Sequence, residues 1–321
     1  MIKNDDKKAI CILGMHRSGT SVITRGFNLL GAYLGEEEDL MPQLPENPEG
    51  FWERMDIYYL QDRILSVMGR DWTTSLPLPE NWHTMDEIRT YKDELTELVT
   101  INFSTRPLWV WKDPRTCLLM PLWKDVLSDL DIGLKVIFEV RNPLDVARSL
   151  EKRNGFPLHK GLGMWFTHSL VALKSVEDLE TIFMSYDRFI TNWETELKKC
   201  ASTLAIEWPA DEAELRTKMS SFVRHDLRHS VSGLDELQTA KVPAPIIRLY
   251  ALLLDLQSGT GRLNSDTGFM TDELYQEFFR YSRMLNSGMG RLQDNQMKSD
   301  KPLIARLSSR LKSFIFQTTV R

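Results

Sequence analysis

A chain of 321 residues, 42% hydrophobic and 26% charged, carries enough apolar material for a sizeable core and lacks the compositional bias of a disordered protein. Its net charge of −5 argues against a general nucleic-acid binder, while leaving room for a cationic pocket inside an acidic protein. The three cysteines, Cys11, Cys117 and Cys200, form no close-spaced pair, which points to reduced core thiols rather than a disulfide or zinc framework, with the first two in apolar strand-like runs. The opening MIKNDDKKAICILG lacks the apolar stretch of a signal peptide, and no run approaches the roughly 18 apolar residues of a membrane helix. The expectation is a cytoplasmic protein of one domain, residues 1–321.

In chain order, Ala9 to Leu13 suits a buried strand and ends on Gly14. A helical spacing from Ser21 to Leu30 follows, stopped by Gly31, so Gly14 to Ser21 is a strand-to-helix turn. Glu36 to Gly50, rich in acids, Pro and Gly, reads as a long loop of the kind that carries function. Amphipathic helices are expected over Met55 to Met68 and around Glu87 to Ile101. Further strands are expected at Leu108 to Trp111, Lys135 to Val140 and Thr181 to Ser185, each separated from the one before by a helix-sized segment. Strands alternating with helices imply an α/β fold, a central parallel sheet flanked by helices. From about Arg188 the pattern is mostly helical, with Ile246 to Leu256 strongly apolar. Residues 299–321 form a basic stretch with apolar positions at helical spacing, read either as a terminal helix docked on the body or as a helix in peripheral contact with a membrane or partner.

Gly14-Met15-His16-Arg17-Ser18-Gly19-Thr20-Ser21 fits the frame of a phosphate-binding loop, in which backbone N–H groups and a helix N-terminus cradle an anion. Where a nucleoside triphosphatase carries the lysine that reaches the terminal phosphates, Thr20 stands instead. Arg17 supplies charge from within the loop, and Ser18, Thr20 and Ser21 add neutral donors, a set suited to a terminal anion handled without Mg²⁺. Arg141-Asn142-Pro143-Leu144-Asp145-Val146-Ala147-Arg148-Ser149 follows the third strand, with Arg141 and Ser149 about two helical turns apart and able to converge beside the sheet's carboxyl edge. Taken singly, the first stretch reads equally as a Gly-containing turn and the second as a loop ion pair.

Together, HRSGTS and RNPLDVARS resemble the 3′-phosphoadenosine 5′-phosphosulfate (PAPS)-dependent sulfotransferases, over roughly Cys11 to Tyr186. The resemblance implies a P-loop-like sulfotransferase fold with about five strands. It implies PAPS as cofactor, with 3′,5′-ADP as product. Arg17, Ser18, Gly19, Thr20 and Ser21 would hold the 5′-phosphosulfate, and Arg141 and Ser149 the 3′-phosphate. Trp111-Lys112-Asp113-Pro114-Arg115 looks like the K-D-P element of tyrosylprotein and related sulfotransferases, whose lysine contacts the transferring group. Tyr186, in Ser185-Tyr186-Asp187, looks like the tyrosine that lies near the adenine. The R-K-G element of cytosolic sulfotransferases is not evident, Ser258 to Arg262 being a poor substitute, and their K-T-H histidine is replaced by KDPR.

Sulfuryl transfer is an in-line displacement through a loose transition state, so Lys112 and Arg17 would meet charge growing on the leaving oxygen and a carboxylate would take the acceptor's proton. Glu36, in Gly35-Glu36-Glu37, matches the G-E-E of tyrosylprotein sulfotransferases and is the first choice of base. Glu53, in Asn47-Pro48-Glu49-Gly50-Phe51-Trp52-Glu53, resembles a segment of bacterial sulfotransferases and is the second choice. His16 is expected to be a structural neighbour of the phosphates, and no metal site is expected. The acceptor is open among small molecules, glycans, lipids and peptides, with no nucleic acid. Trp52, Trp72, Trp82 and Trp111 offer aromatic surface, though tryptophans at such places are more often core. The competing readings are a small-molecule P-loop kinase, disfavoured by the missing lysine, and a non-catalytic nucleotide-binding protein on the same fold.

Overall fold

All four apolar runs become strands of one parallel sheet: β1 (Lys8–Leu13), β2 (Leu108–Trp111), β3 (Gly133–Val140) and β4 (Thr181–Ser185), in the order β2-β1-β3-β4. The structure, a computed structural model, describes residues 7–43, 50–223, 233–258 and 267–280. The basic stretch 299–321 therefore lies outside the described residues. Register aligns the strand ends, pairing Cys11 with Trp111, Leu13 with Phe138 and Val140 with Ser185. The residues that follow these ends, Gly14, Lys112, Arg141 and Tyr186, consequently emerge along one edge of the sheet. The connection after β1 runs one way, to β2, and that after β3 the other way, to β4, which makes the gap between β1 and β3 the kind of switch point at which open parallel sheets bind ligands.

Against the expectation of about five strands, the sheet has four among the described residues. The fifth position holds a single bridge, Tyr33 to Trp109, with Val110 N–H donating to Tyr33 O at 2.9 Å. It cannot lengthen because glycines in the left-handed region flank it, Gly31 at φ 94° and Gly35 at φ 129°, and turn the chain away on both sides.

Period-two alternation divides the sheet's side chains between two cores. Ala9, Cys11, Leu13, Trp109, Trp111, Phe138 and Val140 face the larger one, with α2 (Met55–Val67), α3 (Asp86–Phe103), α4 (Thr116–Asp129), α5 (Pro143–Asn154), α6 (Leu158–Ser175), α9 (Leu234–Thr239) and α10 (Ala244–Ser258). Ile10, Ile12, Val110, Ile137 and Met184 face the other, with α1 (Thr20–Leu29), α7 (Tyr186–Leu204) and α8 (Glu212–Phe222). Residues 267–280 are also helical, so the described carboxyl-terminal part is helical as expected.

A row of rings fixes β2 in the larger core. Phe103 stacks on Trp109 at 4.1 Å between centroids, and Trp111 on Trp123 at 4.6 Å. Trp111 and Trp82 are thus core residues rather than acceptor surface, while Trp52 and Trp72 are half-buried. All three cysteines are free and buried, but Cys117 lies in α4 and not in a strand. Its apolar neighbours belong to a helix buried on most sides, a pattern that a short window does not separate from a strand.

Candidate active site

The turn after β1 is built to leave α1 uncapped. Gly19 occupies its N-cap position at φ 108° and supplies no side-chain cap, an arrangement in which the first N–H groups of a helix can bind an anion. Ser18 N–H and Oγ–H both donate to Met15 O, at 3.1 and 2.6 Å, closing the turn. Arg17 takes φ 67°, a left-handed conformation rare for a side-chain-bearing residue and a form of local strain found at ligand clamps. A Cβ on Gly14 would lie 2.6 Å from Thr20 Cγ2, and one on Gly19 would overlap the Tyr186 ring, so both positions require glycine.

On the β3 side, the two separate stretches meet. Arg17 Nε donates to Ser149 Oγ at 2.9 Å, and Arg141 Nη1 donates to Arg17 O at 2.8 Å. The Arg141 guanidinium lies 4.1 Å from the centroid of the Tyr186 ring, which in turn closes over Gly19. Asn142 makes this placement possible: its side chain accepts from Leu144 N–H and starts α5, with Pro143 in the first turn, so that Ser149 arrives on the loop side two turns later. Arg17, Gly19, Arg141, Ser149 and Tyr186 form one cluster.

On the β2 side, Lys112 leaves the strand end and its ammonium donates to Glu53 Oε1 at 2.5 Å and to Ser21 Oγ at 3.4 Å. Both side chains of this pair are buried, 3% and 5% exposed. Ser21 Oγ–H donates to Phe51 O at 3.0 Å and ties the glutamate's segment to the start of α1. Burial raises the Glu53 carboxyl above its ordinary value and Lys112 pulls it back, with Asp113 adding to the rise. Below them Arg115 is held by Asp113 at 3.1 Å and by Asp62 at 3.4 Å, with its guanidinium over the Tyr58 ring. The sequence displayed KDPR but gave no sign that its arginine is buried.

Glu36 is elsewhere. Its side chain is 62% exposed, accepts from Tyr33 Oη–H at 3.1 Å and lies 3.7 Å from Arg106, which precedes β2, whereas Lys112 follows it. Glu36 also closes a capping box with Asp39 on the short 3₁₀ turn Glu37–Asp39. Buried Arg54 clamps this turn to α2 through Asp39 at 2.9 Å and Asp56 at 2.6 Å. The structure brings Glu53 to Lys112 and gives Glu36 partners at the opposite end of the strand. Asn47, Pro48 and Glu49 of the Glu53 segment lie outside the described residues.

His16 packs against Trp72 at 4.7 Å, and burial, with Arg115 adding to it, holds its imidazole well below the usual histidine value. Reading the sequence for motifs passed over Glu139, a buried carboxyl on β3 against the phosphate loop. The signal was there, a lone charge in the apolar run Val136 to Val140.

No helix among the described residues is long and apolar enough to cross a membrane, and no cluster of metal-ligating side chains occurs among them. Neither a family model nor a curated protein matches the chain. Among solved structures it is similar to a sulfotransferase domain from the curacin biosynthetic pathway, at 16% identity over 78% of this chain and 98% of that one, with a TM-score of 0.43.

Proposed function

We propose that this chain is a sulfotransferase that moves a sulfuryl group from PAPS to an acceptor hydroxyl or amine. The observation that carries the reading is the pairing of Lys112 with Glu53 beside a phosphate loop that has no lysine of its own. The residues fit a nucleotide with anionic groups at both ends: an uncapped helix N-terminus, two glycines where a Cβ would clash, and two arginines with a serine on the far side. Arg17, Ser18, Gly19, Thr20 and Ser21 would hold the 5′-phosphosulfate, Arg141 and Ser149 the 3′-phosphate, and Tyr186 would lie by the adenine. When bound, the nucleotide supplies the sulfuryl group and a phosphate leaving group.

Lys112 is placed to meet the negative charge that grows on the leaving oxygen, and Arg17 to share it. Glu53 takes the acceptor's proton as its oxygen or nitrogen bonds to sulfur and the sulfur–oxygen bond to phosphate breaks. Its raised carboxyl suits a base that must hold a proton briefly. Glu36, the first choice on sequence, yields this role because its partners are Tyr33 and Arg106 in solvent.

Ligand-induced stabilisation separates this function from a kinase. 3′,5′-ADP should raise the melting temperature more than ATP with Mg²⁺, since only it presents a phosphate to Arg141 and Ser149. A larger shift with ATP and Mg²⁺ overturns the assignment. Stabilisation by 3′,5′-ADP without sulfuryl transfer to any member of an acceptor panel marks a non-catalytic nucleotide binder.

A further inference from the structure

One buried acid beside the loop has no part in this chemistry. Residues 136–140 of β3 are buried throughout, and Glu139 is their only charge, 3% exposed. Pairing with Met184 and alternating with Phe138 and Val140, it faces α1 and α7. A Cβ on Gly14 would lie 3.0 Å from Glu139 Oε2, 2.8 Å from Ser18 Oγ and 2.6 Å from Thr20 Cγ2, so the carboxyl sits across Gly14 from the first residue of α1. Neither carboxyl oxygen has a hydrogen-bond partner of good geometry. Ser18 has already given its hydroxyl hydrogen to Met15 O and keeps its lone pairs.

The surrounding charges come from several elements. Arg141 lies at the end of the same strand, Asp187 at the start of α7, Cys117 in α4 and Tyr250 in α10, with Asp145 of α5 near Tyr250 and Arg17 in the loop. Burial pushes the Glu139 carboxyl up to about 8, with Arg141 pulling the other way and Asp187 adding to the rise. Cys117 and Tyr250 are pushed up to about 12 and so stay neutral between pH 7 and pH 9.

We propose that Glu139 is a proton-linked positioning residue of the phosphate loop: as the neutral acid it leaves the loop free to hold an anion, and as the carboxylate it competes with that anion. The proposal rests on the anion-binding reading of the loop. An ionised Glu139 would occupy the same field as the ligand, that of the α1 N-terminus and Arg141, and add a negative charge in a site of low dielectric. Binding of an anion must then be accompanied by uptake of a proton when the free protein has lost it.

Isothermal titration of 3′,5′-ADP between pH 7 and pH 9 tests this, because the ligand's phosphates, with a second pKa of about 6, are ionised across the window. Wild-type affinity should fall about tenfold, the one-proton limit for a group titrating midway, and Glu139→Gln should change less than twofold. Repeating the titration at pH 8.5 in two buffers of different ionisation enthalpy should show proton uptake by the wild type, a readout that does not depend on the variant folding. A flat wild-type profile, a Glu139→Gln profile as steep as the wild type's, or no proton uptake overturns the proposal. Sulfate, ionised throughout, is the second probe. If 3′,5′-ADP fails to bind at any pH while sulfate shows the proton-linked loss, the nucleotide reading falls and the role of Glu139 stands. If sulfate too shows no such loss, both fall.

Discussion

Two acidic segments lie near β2 and look alike in the sequence, but the fold treats them oppositely. The Gly35-Glu36-Glu37 segment is turned outward at Gly35, wound into a 3₁₀ turn and pinned to α2 by Arg54. The Phe51-Trp52-Glu53 segment is turned inward by left-handed residues at Gly50 and Trp52, at φ 87° and 56°, and delivers Glu53 to Lys112. Glu36 stays in solvent, with Tyr33 and Arg106 as its partners. Glu53 is withdrawn from water beside Lys112, and burial raises its carboxyl while the ammonium pulls it back. Backbone direction, not the local run of acids, decides which glutamate reaches Lys112.

The largest expected effect breaks this comparison in one step. Glu53→Gln keeps shape and removes the proton acceptor, so kcat should fall by roughly 10²–10⁴ with 3′,5′-ADP affinity nearly intact. Because the base must be ionised to act, activity is lost as pH falls through its value, which burial has raised. The acidic limb of the wild-type kcat profile should therefore stand above the range of a free glutamate and vanish in the variant.

Lys112→Ala should lower kcat by roughly 10²–10³ and leave nucleotide affinity little changed, since its charge is needed mainly in the transition state. Equal losses in affinity and turnover would make it a simple binding residue.

Glu139 extends the comparison to a third carboxyl, buried without an ammonium partner. Its unfolded-state value is about 4.3, against about 8 when folded, so in between the folded protein holds a proton that the unfolded chain has released. Stability must fall as pH rises through that window and level off above it. Glu139→Gln should match the wild type near pH 4 and exceed it at pH 8 by about 2–4 kcal/mol, read from denaturant unfolding at the two pH values. A gap independent of pH would remove Glu139 from the proton account.

Smaller effects sharpen the contrast. Arg141→Ala should weaken 3′,5′-ADP by about 1.5–3 kcal/mol, the worth of a charge-assisted hydrogen bond to phosphate, while affinity for adenosine 5′-phosphosulfate, which lacks the 3′-phosphate, should change much less. Glu36→Gln should alter kcat less than about twofold, since exposed contacts such as those of Glu36 contribute at most about 1 kcal/mol to stability and none touches the site.

Much of the fold was legible because strand-length apolar runs alternate with helical periods. β2 and β4 begin and end where the sequence places them, and each strand end is followed by a residue of the site: Gly14, Lys112, Arg141 or Tyr186. What local pattern could not show was pairing at a distance. The Lys112–Glu53 contact spans 59 residues and the Arg17–Ser149 contact 132, each set by register and by single backbone turns rather than by periodicity. The motif at Glu36 does not show where its side chain goes, which depends on the positive φ of Gly35 and the clamp through Arg54. The fifth strand failed for the same reason, with three residues confined between two glycines.

The most direct test of the central claim is single-turnover transfer of labelled sulfuryl from PAPS to an acceptor panel by the wild type, Glu36→Gln and Glu53→Gln. The wild type and Glu36→Gln should label the same acceptor at similar rates, with Glu53→Gln slower by at least about 10². A Glu53→Gln enzyme that transfers normally while Glu36→Gln is inert would contradict the account, and so would the absence of label on every acceptor with the wild type.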